Sequence, residues 1–460
     1  MFWAAIIGLA WVPFWLGSNR EIAWIINAGY FGFLTLAYEG ILLLDRRPHP
    51  VAFRRVAFPA LGFLVVCGWI VFQASTWIPF GLQHPLWQWM RDTFKIDVAG
   101  SLTINRIETH LALLRLLTAG CVFWLFFQLG RSQRRANTTV HALALIGSIY
   151  ATYGLIAFFV FPGTLLWFPK EAYLDSVTST FINRNSYATY AGMGLICAMA
   201  AALSEYARQT ARAGRSSFRR GAAFLAATAG PAGGWLAAAF VLAMALVQTG
   251  SRGGITASIA GVAVLAVLVL MRGRSTTAGM AVLLALMAAG VALFGFGDLL
   301  AARLATQGFD ASDRLAVYRL TILSIGDAPW LGFGYGTFQS VFPMYRDRSV
   351  GVTGIWDKAH NTYLEIFQGM GIPFALLFLS VLAFLAFRCA RAALARQSSA
   401  TAPLVATSAT AIVGLHALID FSMQMQAVAL TWTALIAAGI AQSWSGSVDT
   451  SVARNGAPKL

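Results

Sequence analysis

Long apolar runs separated by short polar breaks repeat along the chain, at 2–16, 22–44, 56–73, 108–128, 138–161, 186–204, 233–249, 254–271, 276–296, 362–387, 402–419 and 427–444. Runs of about 20 apolar residues are long enough to cross a bilayer as helices. In lipid every backbone N–H and C=O must be bonded within the protein, so such spans form helices. A transmembrane barrel would show short segments of alternating polarity, and the sequence has none. The pattern predicts an all-α polytopic membrane protein of about twelve helices. It forms one transmembrane domain over residues 1–444, followed by a polar tail at 445–460. No signal-peptide pattern precedes the first run, which reads as an uncleaved span.

The polar breaks are of two kinds. Arginine-rich clusters follow every second run, at 46–55, 131–135, 208–220, 272–274, 388–396 and 454–459. Positive charge marks the cytoplasmic face, so both termini are expected there. The opposite face receives the acidic residues and the long breaks, at about 74–107, 162–185 and 297–361. A loop as long as the last is usually functional. Within it, Ser312-Asp313 reads as the cap of a short helix starting at Arg314, with Leu315, Tyr318, Ile322 and Ile325 along one side against the membrane surface.

Composition agrees with this class. Charged residues make up only 11% of the chain, against about 25% in soluble domains, and mean hydropathy is +0.68. The net charge of +15 does not imply a nucleic-acid partner, because the arginines are distributed as membrane flanks rather than as one patch. Cys67, Cys121, Cys197 and Cys389 lie in apolar runs without a CxxC pair. They read as small core residues rather than a disulfide or zinc framework.

The candidate chemistry gathers at the edges of spans on the face away from the basic clusters. His360 precedes Thr362-Tyr363-Leu364-Glu365, which reads as a capping box, with Glu365 as the cap partner. The electropositive start of a helix favours a neutral imidazole, the form a general base needs. Arg184 lies just before the sixth run, with Asn185 or Ser186 as its cap. Arg252 sits in a turn framed by Gly250, Gly253 and Gly254, where the backbone can approach a ligand closely. Helix N-termini and guanidinium groups together form an anion site. Arg314 is a third cation for that site, whereas Arg319 reads as structural or headgroup-facing. His416 and Asp420, four residues apart, read as a structural pair facing inward, and Asn183, Asn361 and Tyr363 as supporting groups. The glycine-rich run Gly332-Phe333-Gly334-Tyr335-Gly336 reads as a flexible turn, and Glu39 has no evident role. No convincing acidic cluster suggests a metal, and no cofactor is implied.

Five segments in this order resemble the O-antigen ligase family, which includes the related Wzy-type polymerases. They are Phe181-Ile182-Asn183-Arg184-Asn185, Thr249-Gly250-Ser251-Arg252-Gly253-Gly254, Asp313-Arg314, Pro329-Trp330-Leu331-Gly332-Phe333-Gly334-Tyr335-Gly336 and His360-Asn361-Thr362-Tyr363-Leu364-Glu365. The resemblance spans residues 180–440 or so. It implies a GT-C-like, metal-independent glycosyltransferase of the bacterial inner membrane with a periplasmic active site. The implied partners are an undecaprenyl diphosphate-linked glycan donor, a lipid A core or other glycan acceptor, and membrane lipid. By the same resemblance Arg252 and Arg314 match the family's essential arginines, His360 its loop histidine, and Arg184 an arginine found in part of the family. A Wzy-type polymerase and a protein O-oligosaccharyltransferase share these motifs. A flippase or transporter would instead place its polar groups near the midplane, at the junction of internal repeats.

Overall fold

The computed structural model describes residues 1–213, 217–272, 309–351, 354–396 and 400–444. Within them, eight helices are long and apolar enough to cross a membrane. These are α2 (Glu21–Leu44), α3 (Ala57–Ala74), α5 (Arg106–Leu129), α6 (Gln133–Val160), α7 (Arg184–Arg212), α9 (Pro231–Gln248), α10 (Arg252–Met271) and α14 (Ile372–Ala395). Three shorter apolar helices join them: α1 (Phe2–Trp11), α15 (Thr401–His416) and α16 (Gln426–Ala441). The helix expected at 276–296, part of the long loop, the tail and the cations Arg215, Arg274, Arg454 and Lys459 lie outside the described residues.

The bundle is built around α7 and α16. The middle of α7 reads Ala188 to Ala202 almost without an exposed side chain, because small residues let neighbouring backbones come close. A Cβ on Gly194 would lie 3.0 Å from Leu242, and one on Gly192 only 2.2 Å from the Ser258 hydroxyl. α16 is equally enclosed, with Gly439 against Ala406 and Cys389.

Several boundaries differ from the sequence pattern. α1 stops at Trp11 because Pro13 follows. The run at 362–387 is not one helix but two, α13 (Thr362–Met370) and α14, separated by Gly371 at φ 76° and ψ 159°. Pro85–Phe94 (α4) and Ser217–Ala229 (α8) form amphipathic helices not anticipated from the pattern. The loop helix α11 spans Phe309–Asp327, so it begins five residues before Arg314, which puts positions 312 and 313 inside the helix rather than ahead of it. It docks on the rest of the protein through Val317, Leu320, Thr321 and Ser324, and leaves Leu315 and Ile322 exposed. A single turn, α12 (Phe338–Val341), follows.

The glycine-rich run is not a flexible turn. Phe333 N and Gly334 N donate to Gln368 O and Gly369 O at 3.0 Å each, and Ile372 N donates to Pro329 O at 2.7 Å. Gly332, Gly334 and Gly336 all have positive φ, and a Cβ on Gly332 would meet Gly369 O at 2.5 Å. The run is thus the seat on which the break between α13 and α14 rests.

The basic clusters converge at one end of the bundle. Arg396 donates to Gln442 O and Arg272 to Ala393 O. The guanidinium groups of Arg55 and Arg388 lie 5.1 and 5.2 Å from the Trp444 ring. Glu39 finds its place near this end too, accepting from Trp124 Nε1 at 2.5 Å and meeting His49 Nε2 at 2.8 Å.

Candidate functional site

The opposite end holds the candidate residues, and a chain of contacts joins them. Asn183, not Asn185 or Ser186, caps α7, its Oδ1 accepting from both of their backbone N–H groups at 2.7 and 3.3 Å. This leaves the side chain of Asn185 to donate to Asp420 Oδ2 at 2.8 Å. Arg184, the first residue of the helix, lies 5.1 Å from the Tyr173 ring and donates to Ser176 Oγ at 3.1 Å. Ser251 caps α10 by accepting from Gly254 N at 3.2 Å, which places Arg252 at the first helical position with its side chain exposed.

The glycines after Arg252 serve protein packing rather than ligand approach. A Cβ on Gly253 would lie 3.1 Å from His416 Nε2, and one on Gly254 would lie 2.5 Å from Ala188 Cβ. The start of α10 is therefore wedged against α7 and the end of α15. His416 is buried there, with Nδ1 2.6 Å from Thr189 Oγ1 and 3.3 Å from Ser422 Oγ. The expected i,i+4 pairing with Asp420 is corrected, because α15 ends at His416. Asp420 instead accepts from Ser422 Oγ at 2.9 Å and Phe421 N at 2.8 Å, so Ser422 bridges the two.

His360 comes to the same place through α13. Asn361, not Thr362, is the cap, accepting from Leu364 N at 3.1 Å. Thr362 is thereby released to hold Asp420 O with its hydroxyl, at 3.0 Å, and Ala417 O with its N–H, at 2.9 Å. Glu365 reaches back to Ala359 N at 2.8 Å, and Tyr363 OH donates to Gly414 O at 2.9 Å. His360 itself has φ 54°. A non-glycine residue in the left-handed region costs about 1–3 kcal/mol and is found preferentially at functional sites. Its ring stands edge-on to Phe421 at 4.9 Å and Trp356 at 5.9 Å.

Arg314 lies in the second turn of α11, one turn before Tyr318, whose hydroxyl donates to His360 O at 2.8 Å. Burial pushes the Tyr318 phenol above its ordinary value. Arg314 draws it down and Asp420 pushes it up, so both charges are close by. Neither Arg252 nor Arg314 has a hydrogen bond or ion pair among the described residues. Arg319 is different: it donates to Asp347 Oδ2 at 2.7 Å and braces the loop. The structure thus brings together Arg184, Arg252, Arg314, His360, His416 and Asp420, and sets Arg319 aside.

One residue was missed. Arg115 lies within the span of α5, where a lone arginine in an apolar run was the available signal.

A bundle of apolar helices long enough to cross a bilayer, with cations and a strained histidine at one end, defines a polytopic membrane protein. Residues 237–379 match the family model Wzy_C, O-antigen ligase, which supports the resemblance read from the sequence. The matched stretch includes Arg252, Arg314 and His360 but not Arg184, His416 or Asp420. It supports a membrane enzyme of ligase or polymerase type. No curated protein matches the chain.

Proposed function

We propose that the protein transfers a glycan from undecaprenyl diphosphate to an acceptor hydroxyl, that of the lipid A core, on the periplasmic face. The observation that carries this reading is the chain of contacts through Asn185, Asp420 and Thr362 that joins the segments carrying His360 and the three arginines, two of which have no hydrogen bond or ion pair among the described residues.

The sugar C1 already carries a good leaving group. The acceptor oxygen attacks C1, the bond from C1 to the phosphate oxygen breaks, and the diphosphate leaves with the electron pair. His360 takes the hydroxyl proton as general base. Arg184, Arg252 and Arg314 hold the diphosphate and neutralise the charge that develops on it. In-line attack inverts the anomeric centre. No step in this scheme calls on a metal. Asn183, Asn361, Tyr363, Glu365, His416 and Asp420 hold the helix starts in place and do not touch the reacting atoms.

The test is transfer in proteoliposomes supplied with lipid-linked glycan and purified lipid A core. Glycan appearing on the core, with inverted anomeric configuration, is the expected result. Chains that lengthen on the carrier lipid while the core stays bare would replace this reading with polymerisation. Transport of intact donor without bond cleavage would remove it from the enzymes.

A further inference from the structure

A cavity of about 950 Å³ opens beneath this site and reaches it at Thr362, Tyr363 and Glu365. It runs from Phe53 and Val56, near the basic end, to Tyr335 and Thr362 at the other, between α3, α5, α14, α15 and α16. None of Arg184, Arg252, Arg314 and His360 lines it. Its size is at the upper end of the range of about 300–1,000 Å³ for ligand sites. Its walls are mostly aliphatic and aromatic, which suits hydrocarbon and not sugar.

Among the described residues, Arg115 is the one cation that lines this apolar space. Arg115 sits nine residues into α5, about 14 Å below the helix start at the usual rise per residue. Its guanidinium lies 4.3 Å from the Trp24 ring, and Nη1 donates to Gln424 O at 3.4 Å. Its Nε is buried without a hydrogen-bond partner. No carboxylate lies within ion-pair distance of it among the described residues. Glu365 also lines the cavity, but its Oε1 is held by Ala359 N. A cation inside a membrane span is costly and marks a functional position.

We propose that this cavity binds the hydrocarbon chain of a membrane amphiphile whose phosphate headgroup sits on Arg115. The planar guanidinium fork matches phosphate oxygens, and the bilayer supplies the chain. The phosphate belongs either to a polyprenyl carrier or to a glycerophospholipid, and the chemistry at Arg115 is the same for both. The assignment goes beyond the transfer reaction and does not depend on His360 acting as a base.

The experiment uses the purified full chain in detergent with a photoreactive phosphatidic acid, compared with a photoreactive diacylglycerol of identical chains. Peptides from α3, α5 and α14 are read by mass spectrometry. The phosphate-bearing probe should label them about tenfold more than the neutral one, as expected for a charge-assisted contact. Arg115→Gln should abolish that preference and Arg115→Lys should keep part of it. Ala119→Trp, one turn along α5 and also lining the cavity, should reduce labelling by both probes. Competition by unlabelled undecaprenyl diphosphate but not phosphatidylglycerol would assign the site to the carrier, and the converse to bulk lipid. Equal labelling by the two probes overturns the proposal, as does a preference that survives Arg115→Gln. Should Arg115→Gln not fold, the wild-type comparison and Ala119→Trp decide by themselves. A transfer-dead His360→Ala protein that labels normally would separate this site from the transfer reading.

Discussion

At the scale of single residues, the proposed division of labour gives graded outcomes. His360→Ala should lower transfer by about 10²–10⁴-fold, the usual contribution of a general base, with donor binding retained in a lipid-binding assay. Arg252 has no hydrogen bond or ion pair among the described residues, so Arg252→Ala should leave the melting temperature unchanged while transfer falls about tenfold or more. Arg252→Lys should recover little of it, because a point charge lacks the planar fork. Gly254→Leu should do the reverse. Its side chain would strike Ala188 on α7, and such overpacking costs about 1–3 kcal/mol, visible in thermal unfolding before any specific loss of transfer. The cations and the histidine were legible in the sequence because charge at the lip of an apolar run stands out. Their bracing was not. That Asn185 rather than Asn183 holds Asp420 depends on how the start of α7 meets the turn after α15, which is a tertiary fact. Arg115 was legible in principle, since it interrupts an otherwise apolar run, but it lay inside a span rather than at its lip.

Among elements, the long spans were legible because a bilayer demands length and apolarity, and α2, α3, α5 and α10 start and stop within a few residues of the pattern. The loop elements were not, because α11 is set by what it docks on. Its buried face, through Val317 and Leu320, is not its most apolar one. The break between α13 and α14 is the element on which His360 depends. Gly371→Ala would put a Cβ 2.5 Å from Trp330 O, at a φ that side chains avoid. The variant should unfold at lower temperature and transfer poorly, even though Gly371 lies at the opposite end of α13 from His360. The clasp between α11 and the loop should respond to acid. Hydrogen bonds from Ser349, then the Arg319 charge, hold the Asp347 carboxyl below its ordinary 3.8. A depressed carboxyl stabilises the fold above the unfolded value and loses that contribution as pH falls through the folded one. Exchange protection at residues 345–351 should therefore be flat from neutral pH to about 5 and decline below about 4.

The molecule as a whole separates its charges. Arg131, Arg388 and Arg396 gather around Gln442 and Trp444, with Arg272 on Ala393 O, while the candidate site occupies the other end. If the basic end is cytoplasmic, Ser349→Cys should react with an impermeant thiol reagent in cells whose outer membrane is permeabilised, and Arg212→Cys only after lysis. Cys67, Cys197 and Cys389 are buried and should contribute little background. The opposite labelling pattern would put the site on the cytoplasmic face and end the periplasmic reading. The enclosure of α16 has a consequence for how the protein is made. α16 follows every other described helix in the chain, yet it fills the space that α5 and α15 face. At about 5–20 residues per second, the ribosome needs on the order of half a minute between releasing α1 and releasing α16. Throughout that interval the earlier helices must wait in the membrane around an unfilled seam, so a nascent chain stalled before residue 426 should be a target for membrane quality control rather than a smaller working enzyme.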